Sequence, residues 1–398
     1  MPSLSPLRAS LRPSVFADLE VYVARHVARG ADLIALHRGD TYLEPPRVAQ
    51  IGGPVAQGDD DDLYSYGPAG GLASLRNVIA EELRRRGRAF PSVSGDRNIL
   101  LGVGATHALF CSAASILSPA DDVLLAAPYW PLAHGILTAA GARPIEVSFT
   151  SRLYDHPALD AGALLRAGLT SATKAIYLSS PNNPDGKMLS RGQLESIAAL
   201  AIEHDLWVFA DETYADFSFG APHISLSSLP GMAERTITAY SFSKSHALAG
   251  LRVGYAVAPR EVVALAQRVA AHSVFNVPVV TQHAVAAAIA AGPRWTDRAL
   301  RVSRRALDAV VEGLRDTRIR FAMPDGGAYV FLDFHEVLGD RPLTLLLERA
   351  VERGVLLAPG ASFGTEFPQH ARLCFTSEPL PRLVEGITRL LAAVDDLG

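Results

Sequence analysis

From residue 98 to residue 258, short apolar runs alternate with longer segments of helical periodicity. The runs NILLGV (98–103), DVLLAA (122–127), KAIYLS (174–179), LWVFA (206–210), RTITAY (235–240) and RVGYAVA (252–258) are too short for typical helices. Between them, segments such as THALFCSAASIL and RGQLESIAALAIEH place apolar residues at helical spacing. Successive strands joined through helices lie parallel, and runs apolar throughout belong to a sheet covered on both faces. The pattern predicts an α/β chain on a mostly parallel sheet. After residue 290 the texture changes to an Arg-rich amphipathic helix, RWTDRALRVSRRALDAVVEGLRD, then strand patterns and a last helix from Leu380. We therefore expect a large α/β domain over 47–289 and a smaller α+β domain made of 1–46 and 290–398.

Composition narrows the partners. The net charge is −4 and the charges are scattered, so no basic face is set up for nucleic acid. No uninterrupted apolar stretch reaches membrane-spanning length, and the N-terminal MPSLSPLRASLRPS lacks the apolar core of a signal peptide. The acidic run Asp59 to Asp62 reads as a solvated loop. Cys111 and Cys374 both sit in apolar runs and read as buried thiols of a reducing compartment, so a cytoplasmic location is expected.

Of 37 basic side chains only three are lysine: Lys174, Lys187 and Lys244. Arginine replaces lysine wherever charge alone is needed, but not where the nitrogen must lose its proton and act as a nucleophile. A lysine kept in an arginine-rich chain is a candidate for amine chemistry, and Lys244, in SFSKSHALAGLRVGY, is the strongest of the three.

Ligands of open α/β sheets gather at the carboxyl ends of strands. Following each run off its end gives a coherent set. NILLGV leads into Gly104, Ala105 and Thr106, which open a helix whose free N–H groups suit a phosphate. DVLLAA leads to Trp130, an aromatic cover for a flat ring, and KAIYLS to the SPNNPDG turn carrying Asn183. LWVFA leads to Asp211 and Tyr214, and RTITAY to Ser241, Ser243 and Lys244, with Arg252 beyond. Singly these are commonplace. Together they suit one ligand with a phosphate, a flat ring, a phenolic oxygen, a ring nitrogen and an aldehyde, which is pyridoxal phosphate.

The blocks YSYGPAGGLASLR, VGATHALF, APYW, SSPNNPDG, FADETYADF, YSFSKSHALAGLRVGY, PGASFG and ARLCF span nearly the whole chain. Through them it resembles the class I/II aminotransferases of the fold-type I pyridoxal-phosphate-dependent superfamily. The resemblance implies a large domain with a seven-stranded, mostly parallel sheet and a homodimer with shared active sites. It implies that Lys244 forms the internal aldimine and shuttles the proton between Cα and C4′. Asp211 would pair with the pyridine nitrogen, Asn183 and Tyr214 with the phenolic oxygen, and Trp130 would stack on the ring. Gly104, Ala105, Thr106, Ser241, Ser243 and Arg252 would hold the phosphate, with Tyr66 reaching it from the neighbouring subunit. Arg372 would clamp the substrate α-carboxylate, with Gly39 and Arg38 lining the same pocket.

Two places depart from the family pattern. Asp185 stands in the NNPDG turn where NPTG is usual, as a helix cap or as a new group near the ring. LHRGDTYLEPP keeps Gly39 but not the usual acidic run, and its Arg38 either meets a substrate acceptor, or pairs with Asp40 or Glu44, or turns to solvent. The leading reading is ping-pong amino transfer from an α-amino acid to a 2-oxo acid. A carbon–sulfur β-lyase or a biosynthetic enzyme acting on a modified amino acid shares the same residues. A non-catalytic sensor domain would need an N-terminal DNA-binding module, for which the first forty residues are too short.

Overall fold

A computed structural model describes residues 11, 19–50, 63–88 and 97–397. The acidic run 59–62 lies outside the described residues. Seven strands form one sheet: β1 (Ile99–Val103), β2 (Asp122–Ala127), β3 (Arg143–Ser148), β4 (Thr173–Ser179), β5 (Trp207–Asp211), β6 (Thr236–Ser241) and β7 (Val253–Val257). Their spatial order is β1-β7-β6-β5-β4-β2-β3. Only β7 runs against its neighbours, pairing antiparallel with both β1 and β6. Side chains alternate between two apolar layers. Ala175 and Tyr177 of β4 join the layer under helix α1 (Gly104–Ile116), while Ile176 and Leu178 join the layer under α2 (Arg191–Glu203). Burial on both faces is why these runs read as apolar throughout rather than alternating.

The strand β3 has no counterpart among the six apolar runs. It is an edge strand with Pro144 near its start and mostly half-buried side chains, so it carries little apolar signal.

A separate apolar cluster joins Leu19, Ile34 and Leu36 to residues of α3 (Arg294–Leu314), strands β8 (Tyr329–Asp333) and β10 (His370–Cys374), and α4 (Leu380–Asp395). Between β8 and β10 in sequence lies β9 (Ala358–Pro359), which pairs antiparallel with β10. The buried positions of α3, among them Thr296, Ala299, Ser303, Ala306, Leu307 and Val310, recur at three and four residues. Among the described residues no helix is long and apolar enough to cross a membrane.

Candidate active site

The carboxyl ends of β4, β5 and β6 open on a cavity of about 260 Å³. Its walls carry Ala105, Thr106, Trp130, Asn183, Asp211, Tyr214, Ser241, Ser243, Lys244 and Arg252, joined by Gly39 and Arg372 from outside the sheet. Nearly every residue the strand ends suggested is therefore at one place. Lys174 is exposed, and Lys187 pairs with Asp325 at 3.3 Å, so Lys244 is the lysine of this cavity.

Lys244 lies on a one-turn helix, Phe242–Ser245, entered through Ser241, whose hydroxyl accepts the Ser243 N–H at 3.2 Å. Its ammonium donates to the carbonyl of Gly39. Burial lowers its pKa, with Asp40 acting in the opposite sense. A neutral amine is thereby brought closer to neutral pH, as amine chemistry requires.

One end of the cavity is built for an anion. No side chain caps α1 at its start, where the N–H groups of Ala105 and Thr106 lie beside Ser241, Ser243 and Arg252. Gly104 has φ +75°, and a β-carbon there would stand 2.5 Å from Nη2 of Arg252. The glycine thus makes room for the guanidinium. Arg252 itself is left-handed (φ 55°), with Nη1 donating to the carbonyl of Ala249 at 2.9 Å. Uncapped amides, two hydroxyls and a guanidinium form the donor set of a phosphate dianion.

At the other end sits Asp211, 7% exposed. Its Oδ1 accepts the Thr213 N–H at 3.1 Å and its Oδ2 the Tyr177 hydroxyl at 2.8 Å. Burial pushes its carboxyl above the usual range. A cation placed against it would restore the ionised form by proximity of opposite charge. Both ends, the half-buried Trp130 wall and the amine thus fit pyridoxal phosphate.

Arg372 on β10 is buried. It donates from Nη1 to Asn183 Oδ1 at 2.8 Å and from Nη2 to the His37 carbonyl at 2.7 Å. Its guanidinium lies 4.2 Å above the Tyr329 ring, and its buried Nε has no partner among the described residues. Such a guanidinium is prepared for a carboxylate. His37 is held down to about 4, first by burial and then by the Arg38 and Arg372 cations, so it stays neutral.

Tyr329 and Tyr177 escaped the sequence reading. The Tyr214 and Tyr329 hydroxyls touch each other, both buried, and a β-carbon at Gly39 would overlap the Tyr329 oxygen. Tyr177 lies within β4 and Tyr329 opens β8, where a sequence shows only another large core residue.

Three candidates stand apart from the 260 Å³ cavity. Tyr66 is 89% exposed, edge-on to Phe275 at 5.3 Å. Arg38 is exposed in a wider crevice of about 1160 Å³ that shares Trp130, Arg252 and Arg372 with the cavity. It has no ion pair with Asp40 or Glu44, whose pairing was one expectation. Gly104 lies behind Arg252 and shapes the cradle rather than lining it. Asp185 is neither a helix cap nor a cavity residue. Its carboxylate binds the Asn182 amide at 2.9 Å, the Lys187 N–H at 3.0 Å and the Thr150 hydroxyl at 2.5 Å, while Ser190 caps α2. The two thiols are buried as expected, and burial pushes Cys111 up to about 11, which leaves it unreactive.

Residues 32–387 match the family described as aminotransferase class I and II. The chain is 32% identical to the arginine–pyruvate transaminase of Pseudomonas aeruginosa, over 96% of this chain and 95% of that protein. It is 30% identical to the aspartate/prephenate aminotransferase of Thermus thermophilus, over 98% and 99% of the two. A mutant aspartate aminotransferase of Thermus thermophilus superposes with a TM-score of 0.90 at 27% identity, covering 99% of this chain and all of that one.

Proposed function

The chain belongs to the class I and II aminotransferases and is a transaminase, and from that premise we propose that it works through pyridoxal phosphate held in the cavity around Lys244. The uncapped start of α1, Ser241, Ser243 and Arg252 bind the phosphate, Trp130 covers the ring, Asp211 meets the ring nitrogen, and Asn183 and Tyr214 face the phenolic oxygen. When bound, the cofactor supplies the aldehyde that exchanges amines and the ring that draws electrons from the substrate. Lys244 Nζ holds and returns the proton at the substrate α-carbon, a task for an amine whose pKa burial has lowered. Arg372 binds the α-carboxylate of an amino acid and then of a 2-oxo acid, so one site serves both halves of a ping-pong exchange. Arg38, at the mouth of the wider crevice, receives the far end of a substrate that carries an acceptor.

The observation that carries this reading is the meeting of Lys244, Asp211 and Arg372 around one cavity. The apolar cluster that ties Leu19–Leu36 to the C-terminal elements supports treating 1–46 and 290–398 as one small domain, which brings Gly39 and Arg372 to the site. A second copy of the chain is the partner that the outward-facing Tyr66 and Phe275 suit, and sedimentation should give a dimer. Borohydride reduction followed by peptide mapping should place pyridoxyl on Lys244. A label on Lys174 or Lys187 refutes the assignment. An amino-donor panel against several 2-oxo acids, with pyruvate and ammonia followed alongside, separates transamination from β-elimination.

A further inference from the structure

Tyr177 sits where a hydroxyl is unfavourable. It is 2% exposed on β4, among Leu109, Ala133, Leu137 and Phe209 around a small apolar void. Phenylalanine would fill that space and leave no polar atom to satisfy. Among the described residues the hydroxyl has one partner, Asp211 Oδ2 at 2.8 Å. The register produces that contact. Tyr177 is opposite Phe209, and Asp211 lies two residues further along β5 on the same face, within diagonal reach of a long side chain. The neighbouring carboxylate, Glu212, is engaged elsewhere, by the Tyr240 hydroxyl at 2.6 Å and the Ser225 hydroxyl at 2.9 Å.

We propose that Tyr177 is a positioning residue whose hydroxyl keeps Asp211 ionised and aimed into the cavity, so that the ring nitrogen of the bound cofactor keeps its proton. The inference rests on the proposed use of pyridoxal phosphate. A proton between a ring nitrogen and a carboxylate goes to whichever is the stronger base. A hydrogen bond donated to the carboxylate stabilises its anion and leaves the proton on nitrogen. Burial of Asp211 works the other way, and the phenol opposes it. The phenol stays a donor, because burial and the adjacent carboxylate both raise its own pKa. Thr213, holding Oδ1, completes a carboxylate fixed in its plane by two donors.

The test uses the full chain as wild type, Tyr177→Phe, Asp211→Asn and the double variant, each reconstituted with pyridoxal phosphate labelled with ¹⁵N in the ring. The ring ¹⁵N shift near neutral pH, the cofactor dissociation constant and the melting temperature are measured. Tyr177→Phe should fold, move the ¹⁵N resonance towards the unprotonated position and raise the dissociation constant about tenfold, as for loss of a hydrogen bond to a charged group. In the Asp211→Asn background the same change should alter the constant less than about twofold, because the two residues act as one unit. An unchanged resonance with Tyr177→Phe overturns the proposal, as does an equal loss in both backgrounds. A Tyr177→Phe chain that cannot fold overturns it too, since the hydroxyl would then be needed for the fold. Wild type that does not bind the cofactor removes the proposed function itself. Normal binding by wild type, weakened binding by Asp211→Asn and a silent Tyr177→Phe remove this inference alone.

Discussion

Replacing Arg372 by alanine tests the substrate half of the site most directly. The side chain is 7% exposed and makes two hydrogen bonds, to Asn183 Oδ1 at 2.8 Å and to the His37 carbonyl at 2.7 Å. Its removal has two separable consequences. It takes a donor from the buried Asn183 Oδ1, at about 1–3 kcal/mol, and from the part-buried His37 carbonyl at less, which is a loss of stability. It also removes the cation that meets the α-carboxylate, and truncating one partner of a buried charged pair costs about 2–5 kcal/mol. At 1.36 kcal/mol per tenfold, that is a loss of about thirtyfold to several thousandfold in kcat/KM for an amino acid. The assay compares phenylalanine with phenethylamine, which differ only in the carboxylate. Any general disturbance of the site lowers both, so the ratio isolates the carboxylate contact. The ratio should fall by at least thirtyfold. Equal losses for the two substrates would show that Arg372 serves only to tie His37 to Asn183, and the assignment of the α-carboxylate site would be wrong.

Other consequences follow from the same geometry. Burial puts Lys244 below its ordinary 10.5, so the cofactor-free native state holds that proton less firmly than the unfolded chain. Lys244→Met without cofactor should melt higher than wild type near neutral pH, with the gap closing as pH rises towards 10.5; a pH-independent gap in thermal melts refutes this. Asp185→Ala strands the Asn182, Lys187 and Thr150 donors and should cost about 2–4 kcal/mol in urea unfolding while kcat changes less than about twofold. A large fall in kcat at unchanged stability would return Asp185 to the chemistry. Arg38→Ala should lower kcat/KM for glutamate by up to about fivefold and leave phenylalanine nearly unchanged, the scale of an exposed charge pair of up to about 1 kcal/mol. Equal effects on glutamate and phenylalanine would make Arg38 a solvated side chain.

What could be read from the sequence is what lies at the ends of strands. Asp211, Lys244 and Asn183 each follow an apolar run, and in a parallel sheet all such ends open on one edge. Locating the runs therefore located the residues. DVLLAA was legible to the residue as β2, because it is buried on both faces. RPIEVS was not, because an edge strand half in solvent and carrying a proline shows neither an apolar run nor clean alternation. The scarcity of lysine singled out Lys244 on a different ground, since arginine cannot replace an amine that must lose its proton.

Contacts set by register, or by a chain segment hundreds of residues away, left no such trace. Tyr177 reads as one more aromatic in a strand until β4 is laid against β5 and Asp211 falls diagonal to it. Tyr329 lies far from both Gly39 and Tyr214 in the chain, yet its oxygen fills the space a side chain at position 39 would need, while the Gly39 carbonyl receives Lys244. The glycine is thus explained by steric exclusion from one side and by the amine on the other. Neither reason is visible in LHRGDTYLEPP. Asp185 shows the same limit from the opposite direction, because its place in a turn beside Asn183 suggests chemistry and only its three donors reveal a fastening. Reactive groups are set by what they must do, and that restricts the residue type enough to be read. Supporting groups are set by what they must touch, and many residue types satisfy a contact until the partner is known.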